Sequence, residues 1–147
     1  MNFRRWFVAG LLLASTLVLT SGGNKAKGVL VTVHLEAPEE DYPKFAGPAK
    51  LGSESRQYFF RKIPEYTDDN IAWFYPFVSQ DGKSFGAAFK LKESKIGTLR
   101  AFTTQHQGKL LGIRIPNAPY NALLIDKPID DGILVFWEGL SKAHLEA

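Results

Sequence analysis

Seven segments of the chain after residue 27 consist of alternating apolar and polar residues or of short uninterrupted apolar runs. β-Branched and aromatic residues dominate them, and this pattern favours strands. Asp81-Gly82 between two of these segments is typical of a hairpin turn. The predicted strands are Gly28–Glu36, Gln57–Ile63, Ile71–Ser79, Ser84–Leu91, Lys109–Ile115, Tyr120–Ile125 and Ile133–Glu138.

One segment has helical rather than alternating periodicity. Ser94 is a suitable helix cap, and the helix is predicted to run to about Gln107, where Gly108 ends it. Its apolar face is predicted to consist of Ile96, Leu99, Phe102, Thr103 and His106. Ser141 is predicted to start a second, short helix, and Ala37–Ser55, with three prolines and two glycines, is predicted to be an irregular loop. The order predicts an α+β fold, a mostly antiparallel sheet with one main helix and a short C-terminal helix packed on one face.

The first 23 residues have the pattern of an export signal. Arg4 and Arg5 precede an uncharged apolar run from Trp6 to Leu19, and small residues follow it. The run is shorter than the roughly 20 residues of a spanning helix, so a cleaved signal peptide is favoured over an uncleaved N-terminal membrane anchor. We expect residues 1–23 to be this leader and residues 24–147 to form one extracytoplasmic domain, exported to the periplasm or cell envelope. A lipoprotein anchor is excluded because Gly23 stands where the acceptor cysteine would be.

The amino-acid composition excludes several classes of function. The chain has 147 residues and no cysteine, which excludes disulfides, thiolate nucleophiles and iron–sulfur clusters. Its net charge of +3 comes from the first 27 residues, which carry four basic and no acidic residues, since residues 28–147 carry 14 basic and 15 acidic residues. A nearly neutral body offers no general electrostatic attraction to nucleic acid, and none is expected as a partner.

Candidate catalytic residues are few. Gly82-Lys83-Ser84-Phe85-Gly86 matches the G-x-S-x-G nucleophile elbow, but the elbow needs a helix after the serine, and here a strand follows. Asp126 or Asp130 with His144 would complete a triad on Ser84. We favour a hairpin turn and no enzymatic activity, with a small serine hydrolase using Ser84 as the alternative.

No metal or cofactor site is expected. His34, His106 and His144 have no metal-binding spacing. Asp126, Asp130 and Asp131 do not follow the ligand order of a calcium-binding EF-hand loop. We interpret these three aspartates as a solvated turn.

Ile71–Val78 is the most aromatic segment, and Trp73, Tyr75 and Phe77 fall on one strand face. Pro76 cannot donate to a ladder, which favours an edge or bulged strand. Two interpretations remain open: a strand covered on both faces, or an aromatic edge that accepts an extended peptide by strand addition. The candidate peptide-binding residues are Trp73, Tyr75 and Phe77, with Phe59 and Phe60 as neighbours.

The second half of the chain resembles the head region of the first large extracytoplasmic loop of the SecD family, the accessory membrane subunits of the bacterial preprotein translocase. A T-x-x-N-x-G-K element at the end of a helix is matched at Thr103, Gly108 and Lys109, with His106 in place of Asn. An Ala-Pro step is matched at Ala122 only, where Leu123 replaces Pro. Further matches are Pro128-Ile129-Asp130-Asp131-Gly132, Gly139 and Ser141, so the resemblance covers roughly residues 86–146.

The resemblance implies a SecD-head-like fold and a non-catalytic exported module that contacts polypeptide or a membrane protein complex. Membrane association through the N-terminal segment is compatible with this. We do not expect the chain itself to couple a proton gradient to transport, because it has no match to the further transmembrane helices of SecD. A structural envelope protein that assembles with itself or with a membrane partner is a second alternative.

Overall fold

The strands of the domain form two antiparallel sheets and one hairpin. The structure, a computed structural model, describes residues 31–52 and 54–146. The first sheet consists of β1 (Thr32–Leu35), β4 (Tyr66–Thr67), β7 (Leu110–Arg114) and β8 (Asn121–Leu124). Its strand order is β4–β1–β7–β8, and every neighbouring pair is antiparallel.

The second sheet has the strand order β5–β6–β9, with β5 (Ile71–Val78), β6 (Phe85–Leu91) and β9 (Ile133–Leu140). It is also antiparallel throughout, and its central strand β6 pairs with both neighbours. The hairpin consists of β2 (Ala46–Leu51) and β3 (Arg56–Arg61). It joins the end of β1 through a bridge between Glu36 and Phe60.

Two helices accompany the sheets, α1 (Glu93–Gln105) and α2 (Lys142–Glu146). The main helix α1 begins at Glu93 with Lys92 in the cap position, two residues before the predicted cap, so Ser94 lies inside its first turn and does not cap it. Gly108 follows its end with φ 85°, a backbone conformation that glycine adopts without steric cost. Ser141 precedes α2, and its hydroxyl accepts the backbone N–H of His144 at 3.4 Å.

The core is one cluster of side chains from both sheets and from α1. Leu99 and Thr103 are the buried residues of α1, and the partly buried Ile96, Phe102 and His106 lie on the same face, as the helical periodicity predicts. The largest fully buried aliphatic side chains come from four strands and from α1, with Ile125 after β8: Val33, Leu35, Leu91, Leu99, Leu111, Ile113, Ile125 and Leu134. Burying an aliphatic side chain of this kind stabilises the fold by about 1.5–3 kcal/mol.

The prediction of an irregular loop over Ala37–Ser55 is wrong for its second half. Ala46–Leu51 forms β2 and pairs along its whole length with β3. Gly47 and Pro48 disfavour a strand in the sequence, but β2 pairs on one side only, where a proline without an N–H is tolerated. The two-residue strand β4 was also not predicted, because its pattern is too short to have a period.

Thr103 connects two motifs that lie far apart in the sequence. Its hydroxyl donates to the carbonyl of Leu99 at 2.8 Å and accepts the backbone N–H of Ile129 at 2.9 Å. The helix is thereby fixed to the loop before β9. Gly132 in the same loop has φ 75° and lies against Ile96, so a side chain there would collide with α1.

The α+β class, the antiparallel pairing, the main helix and the short C-terminal helix are confirmed. The strands are divided between two sheets and a hairpin, whereas the sequence analysis proposed one sheet. The predicted leader, residues 1–23, lies outside the described residues. Within the described part of the chain, no helix is long and apolar enough to cross a membrane.

Candidate functional site

The aromatic segment Ile71–Val78 forms the edge strand of the second sheet. In the described residues β5 pairs only with β6, and the register shifts between Ile71 and Trp73, which marks a bulge. Trp73 lies opposite Lys90 and Tyr75 lies opposite Ala88. The side chains of Trp73 and Tyr75 are 48% and 63% exposed. The interpretation as a strand covered on both faces is therefore wrong, and the interpretation as an edge is confirmed.

Phe77 extends this aromatic row across the sheet. It lies opposite Gly86, and a Cβ built on Gly86 would be 2.5 Å from the Phe77 ring. The missing side chain lets the ring lie over the middle strand and meet Trp137 on β9 edge-on, with ring centroids 5.8 Å apart. Trp137 is 71% exposed. Trp137 was not among the site residues predicted from the sequence.

These side chains together form one surface, which we call the outer aromatic face. Val135 belongs to it because Ala88 pairs with both Tyr75 and Val135 in one row across the three strands. Large exposed apolar areas on a soluble domain indicate interaction sites. The outer aromatic face consists of Trp73, Tyr75, Phe77, Val135 and Trp137.

The opposite face of β5 is packed only in part, since Phe74 is 50% exposed and Val78 is 62% exposed. Phe74 stacks on Phe89 with ring centroids 6.1 Å apart, and Phe89 meets Phe136 edge-on at 6.0 Å. Phe89 and Phe136 are buried. This aromatic packing anchors the edge strand from inside, while Trp73 and Tyr75 on its other face are exposed.

A cleft of about 600 Å³ opens on the far side of β9. The cleft is lined by residues of the β2–β3 hairpin and its turn, by residues of β9, and by Leu110, Tyr120, Asn121 and Ala122. Trp137 belongs both to this lining and to the outer aromatic face. The polar and aromatic side chains of the lining are Glu54, Arg56, Tyr58, Tyr120, Asn121, Phe136, Trp137 and Glu138.

The structure brings Trp73, Tyr75 and Phe77 together but places the other two candidate residues elsewhere. Phe60 on β3 is only 3% exposed and stacks on Tyr120 with centroids 4.9 Å apart. Phe59 on the same strand contacts the ring of Tyr42 at 5.7 Å. Both belong to the hairpin and not to the second sheet, so Phe59 and Phe60 are not part of the outer aromatic face. Strand pairings this distant in sequence leave no local pattern.

The G-x-S-x-G segment forms the hairpin turn between β5 and β6. The carboxylate of Asp81 accepts hydrogen bonds from the Ser79 hydroxyl and from the backbone N–H groups of Lys83 and Ser84. These bonds lower the pKa of Asp81. The Ser84 hydroxyl donates to Ser79 at 3.0 Å and accepts the N–H of Gly139 at 3.3 Å. Neither partner is a base that could take its proton.

Two further titratable candidates, His144 and Asp131, have local structural partners. The Nδ1 atom of His144 accepts the backbone N–H of Ser141 at 3.1 Å, and the Asp131 carboxylate accepts the N–H of Ile133 at 2.9 Å. Among the described residues, no group of three or more His, Asp or Glu side chains could hold a metal ion.

His34 is a buried histidine on β1 with a partner for each ring nitrogen. Its Nδ1–H donates to the carbonyl of Arg61 at 2.7 Å, and its Nε2 accepts the hydroxyl of Thr32 at 2.8 Å. Burial lowers the pKa of His34, although the Arg61 carbonyl and the nearby Glu65 oppose this; the positive charge of Arg114 adds to the decrease. The folded protein therefore holds His34 neutral.

We expect the stability of the domain to fall as the pH decreases below the ordinary histidine pKa of 6.5. The unfolded chain takes up a proton on His34 near that pH, and the folded chain takes it up only at lower pH, so unfolding is favoured in between. Urea unfolding between about pH 7.5 and about pH 5 measures this slope. His34→Gln should flatten it, and His106, whose pKa is also lowered by burial, should leave a residual slope. An unchanged slope in the variant would contradict the assignment.

The fold has counterparts among solved structures. A structure of SecDF, a membrane component that enhances protein export, matches 78% of this chain and 56% of that chain, with a TM-score of 0.54 and 17% sequence identity. A crystal structure of SecDF in its super-membrane-facing form matches 81% of this chain and 17% of that chain, with a TM-score of 0.55 and 18% identity. The chain thus spans 56% and 17% of the lengths of these two. No protein-family model and no curated protein matches. The likeness establishes a SecDF-like fold.

Proposed function

We propose that this domain is a non-catalytic exported module, related in role to protein export, that binds extended polypeptide on its outer aromatic face. The observation that carries the proposal is the exposure of Trp73 and Tyr75, with the half-buried Phe77 beside them, on one face of an edge strand. Aromatic side chains provide large contact area and join apolar surface to a polar tip. Such a surface suits unfolded polypeptide, whose side chains vary in sequence but are rich in apolar groups.

The SecDF-like fold supports the same proposal. SecDF is a membrane component that enhances protein export, and a domain that handles exported polypeptide would serve the same task. The predicted leader would place it in the periplasm or cell envelope, attached to the membrane if the leader is not cleaved. Its partner would be polypeptide in transit, alone or with a membrane protein complex.

Tyr75→Ala should weaken binding of an extended peptide about threefold to about tenfold, since one aromatic contact is lost. The measurement is fluorescence anisotropy with a fluorescein-labelled peptide of about ten residues in which leucine and serine alternate. Because Tyr75 is 63% exposed, its removal should leave the thermal unfolding midpoint nearly unchanged.

The matched control is Phe45→Ala. Phe45 is an aromatic side chain of similar exposure, 60%, but it lies before the β2–β3 hairpin. Its removal should leave peptide affinity unchanged. Equal losses in both variants would mean that binding is not localised on β5. A concentration-dependent mass in sedimentation, without peptide binding, would favour the self-assembling envelope protein instead.

The non-catalytic part of the proposal rests on the surroundings of Ser84, whose hydroxyl contacts Ser79 and the Gly139 N–H. Labelling by a serine-directed fluorophosphonate, lost in Ser84→Ala, would contradict it.

A further inference from the structure

We propose that the bound polypeptide crosses the three strands of the second sheet, from Tyr75 over Trp137 into the cleft beyond β9, and does not add as a strand to the free edge of β5. This inference rests on the proposed function and specifies its binding path. It also adds the cleft, and residues of the β2–β3 hairpin, to the site.

The apolar surface is continuous from β5 to β9. Phe77 and Trp137 are in edge-on contact at 5.8 Å over Gly86, so the apolar surface has no break between β5 and β9. Trp137 then lines the cleft, and Tyr58 of the β2–β3 hairpin lines the same cleft. An extended chain that leaves Tyr75 across the sheet therefore meets aromatic contacts at each step.

The edge of β5 is a poor template for pairing with an added strand. The register shift between Ile71 and Trp73 disturbs one end of the strand, and Pro76 interrupts the other half. Proline lies in edge strands with its missing N–H turned away from the neighbouring strand. The free edge thus offers an added strand one donor fewer. Bulges and edge prolines are devices by which sheets avoid pairing with further strands.

The side chains that line the cleft favour a polypeptide as its occupant. Its lining places the cation of Arg56 together with the carboxylates of Glu54 and Glu138 and the amide of Asn121. Arg56 also lies 5.4 Å from the ring centroid of Tyr58. Charges of both signs beside amide and aromatic groups complement a polypeptide, which has donors, acceptors and mixed side chains. Two carboxylates make the cleft unsuited to a polyanion or an anionic lipid surface.

The path sets a minimum peptide length. Strands lie about 4.8 Å apart, so the distance from β5 to β9 is about 10 Å. An extended chain spans about 3.3 Å per residue. About three residues reach from Tyr75 to Trp137, and about three more enter the cleft.

The test uses the labelled leucine–serine peptide and the full domain. Trp137→Ala and Tyr58→Ala should each weaken binding about threefold to about tenfold, with Phe45→Ala as the neutral control. N-methylation of either alternate set of backbone amides should leave affinity within about twofold, because crossing the face needs no ladder of hydrogen bonds. Affinity should increase with peptide length until about six residues and level off above that.

Loss of binding on N-methylation, with full affinity in Trp137→Ala and Tyr58→Ala, would overturn the crossing path. If Tyr75→Ala still weakened binding in that experiment, the proposed function would stand with strand addition as its mechanism. Absence of any peptide binding would overturn both. Self-association through the same face, or binding to vesicles of phosphatidylglycerol that the peptide does not compete with, would also overturn the path.

Discussion

Gly112→Ala should destabilise the domain by about 1–3 kcal/mol or more, through overpacking of a filled core. Gly112 lies in the middle of β7, between His34 on β1 and Ala122 on β8. A Cβ there would collide with the ring of Tyr120 and come within 2.7 Å of the ring of Phe60. Phe60 is buried, and its stacking on Tyr120 leaves neither ring free to move aside.

The matched control is Gly97→Ala, the same chemical change at a position with open space. Gly97 lies inside α1, and a Cβ there meets nothing within 4 Å. Alanine in a helix interior is favoured over glycine by about 0.5–1 kcal/mol, so this variant should be more stable than the wild type. Urea denaturation gives both free energies of unfolding. A stability of Gly112→Ala equal to the wild type would show that the hairpin does not pack on β7 as described.

Thr103→Val should cost about 1–3 kcal/mol, although valine has nearly the same shape as threonine. The Thr103 hydroxyl is the acceptor for the backbone N–H of Ile129, and Thr103 is fully buried. Valine leaves this N–H without its partner. The loop before β9 should also become more mobile, which faster amide hydrogen exchange at Ile129 would detect.

Thr104→Val is the control for this second prediction. The Thr104 hydroxyl donates only to the carbonyl of Arg100, one turn back in α1, and the side chain is exposed. Its replacement should change the free energy of unfolding by less than about 0.5 kcal/mol. Equal costs at the two positions would indicate a general effect of valine on the helix, and would contradict a specific link to Ile129.

The hydrogen bond between Thr103 and Ile129 also joins residues of the separate motifs that carry the resemblance to the SecD family. The motif residues Thr103 and Gly108 end the helix, and Pro128 to Gly132 form the loop that Thr103 holds. Sequence alone shows these residues as separate turn and cap signals. The structure shows that they form one tertiary contact, and this explains why turn and cap residues identified the fold better than they identified a role.

Local patterns predicted the elements that have a clear period or an unambiguous turn. Asp81-Gly82 gave the β5–β6 hairpin, and the apolar spacing from Ile96 to His106 gave the buried face of α1. β2 was missed because its strand character comes from pairing with β3 and not from its own composition. Its sequence, with Gly47 and Pro48, disfavours a strand in isolation.

For the candidate site, the sequence predicted which residues of β5 share a face, but not how the other strands pack around them. Alternation placed Trp73, Tyr75 and Phe77 on one face, and Pro76 indicated an edge. Whether anything covers that face depends on long-range packing, which has no local pattern. Trp137 was not predicted for the same reason, because its contact with Phe77 depends on the β6–β9 register and on the missing side chain of Gly86.

The most direct test of the central claim is an amide and indole NMR titration of residues 24–147 with the leucine–serine peptide. This part of the chain has two tryptophans, Trp73 and Trp137, so two indole N–H signals report on opposite sides of the outer aromatic face. The account predicts that both signals shift along one saturable curve, together with backbone amides of β5 and β9. Unmoved indole signals at millimolar peptide, or shifts confined to residues outside the second sheet and the cleft, would contradict it.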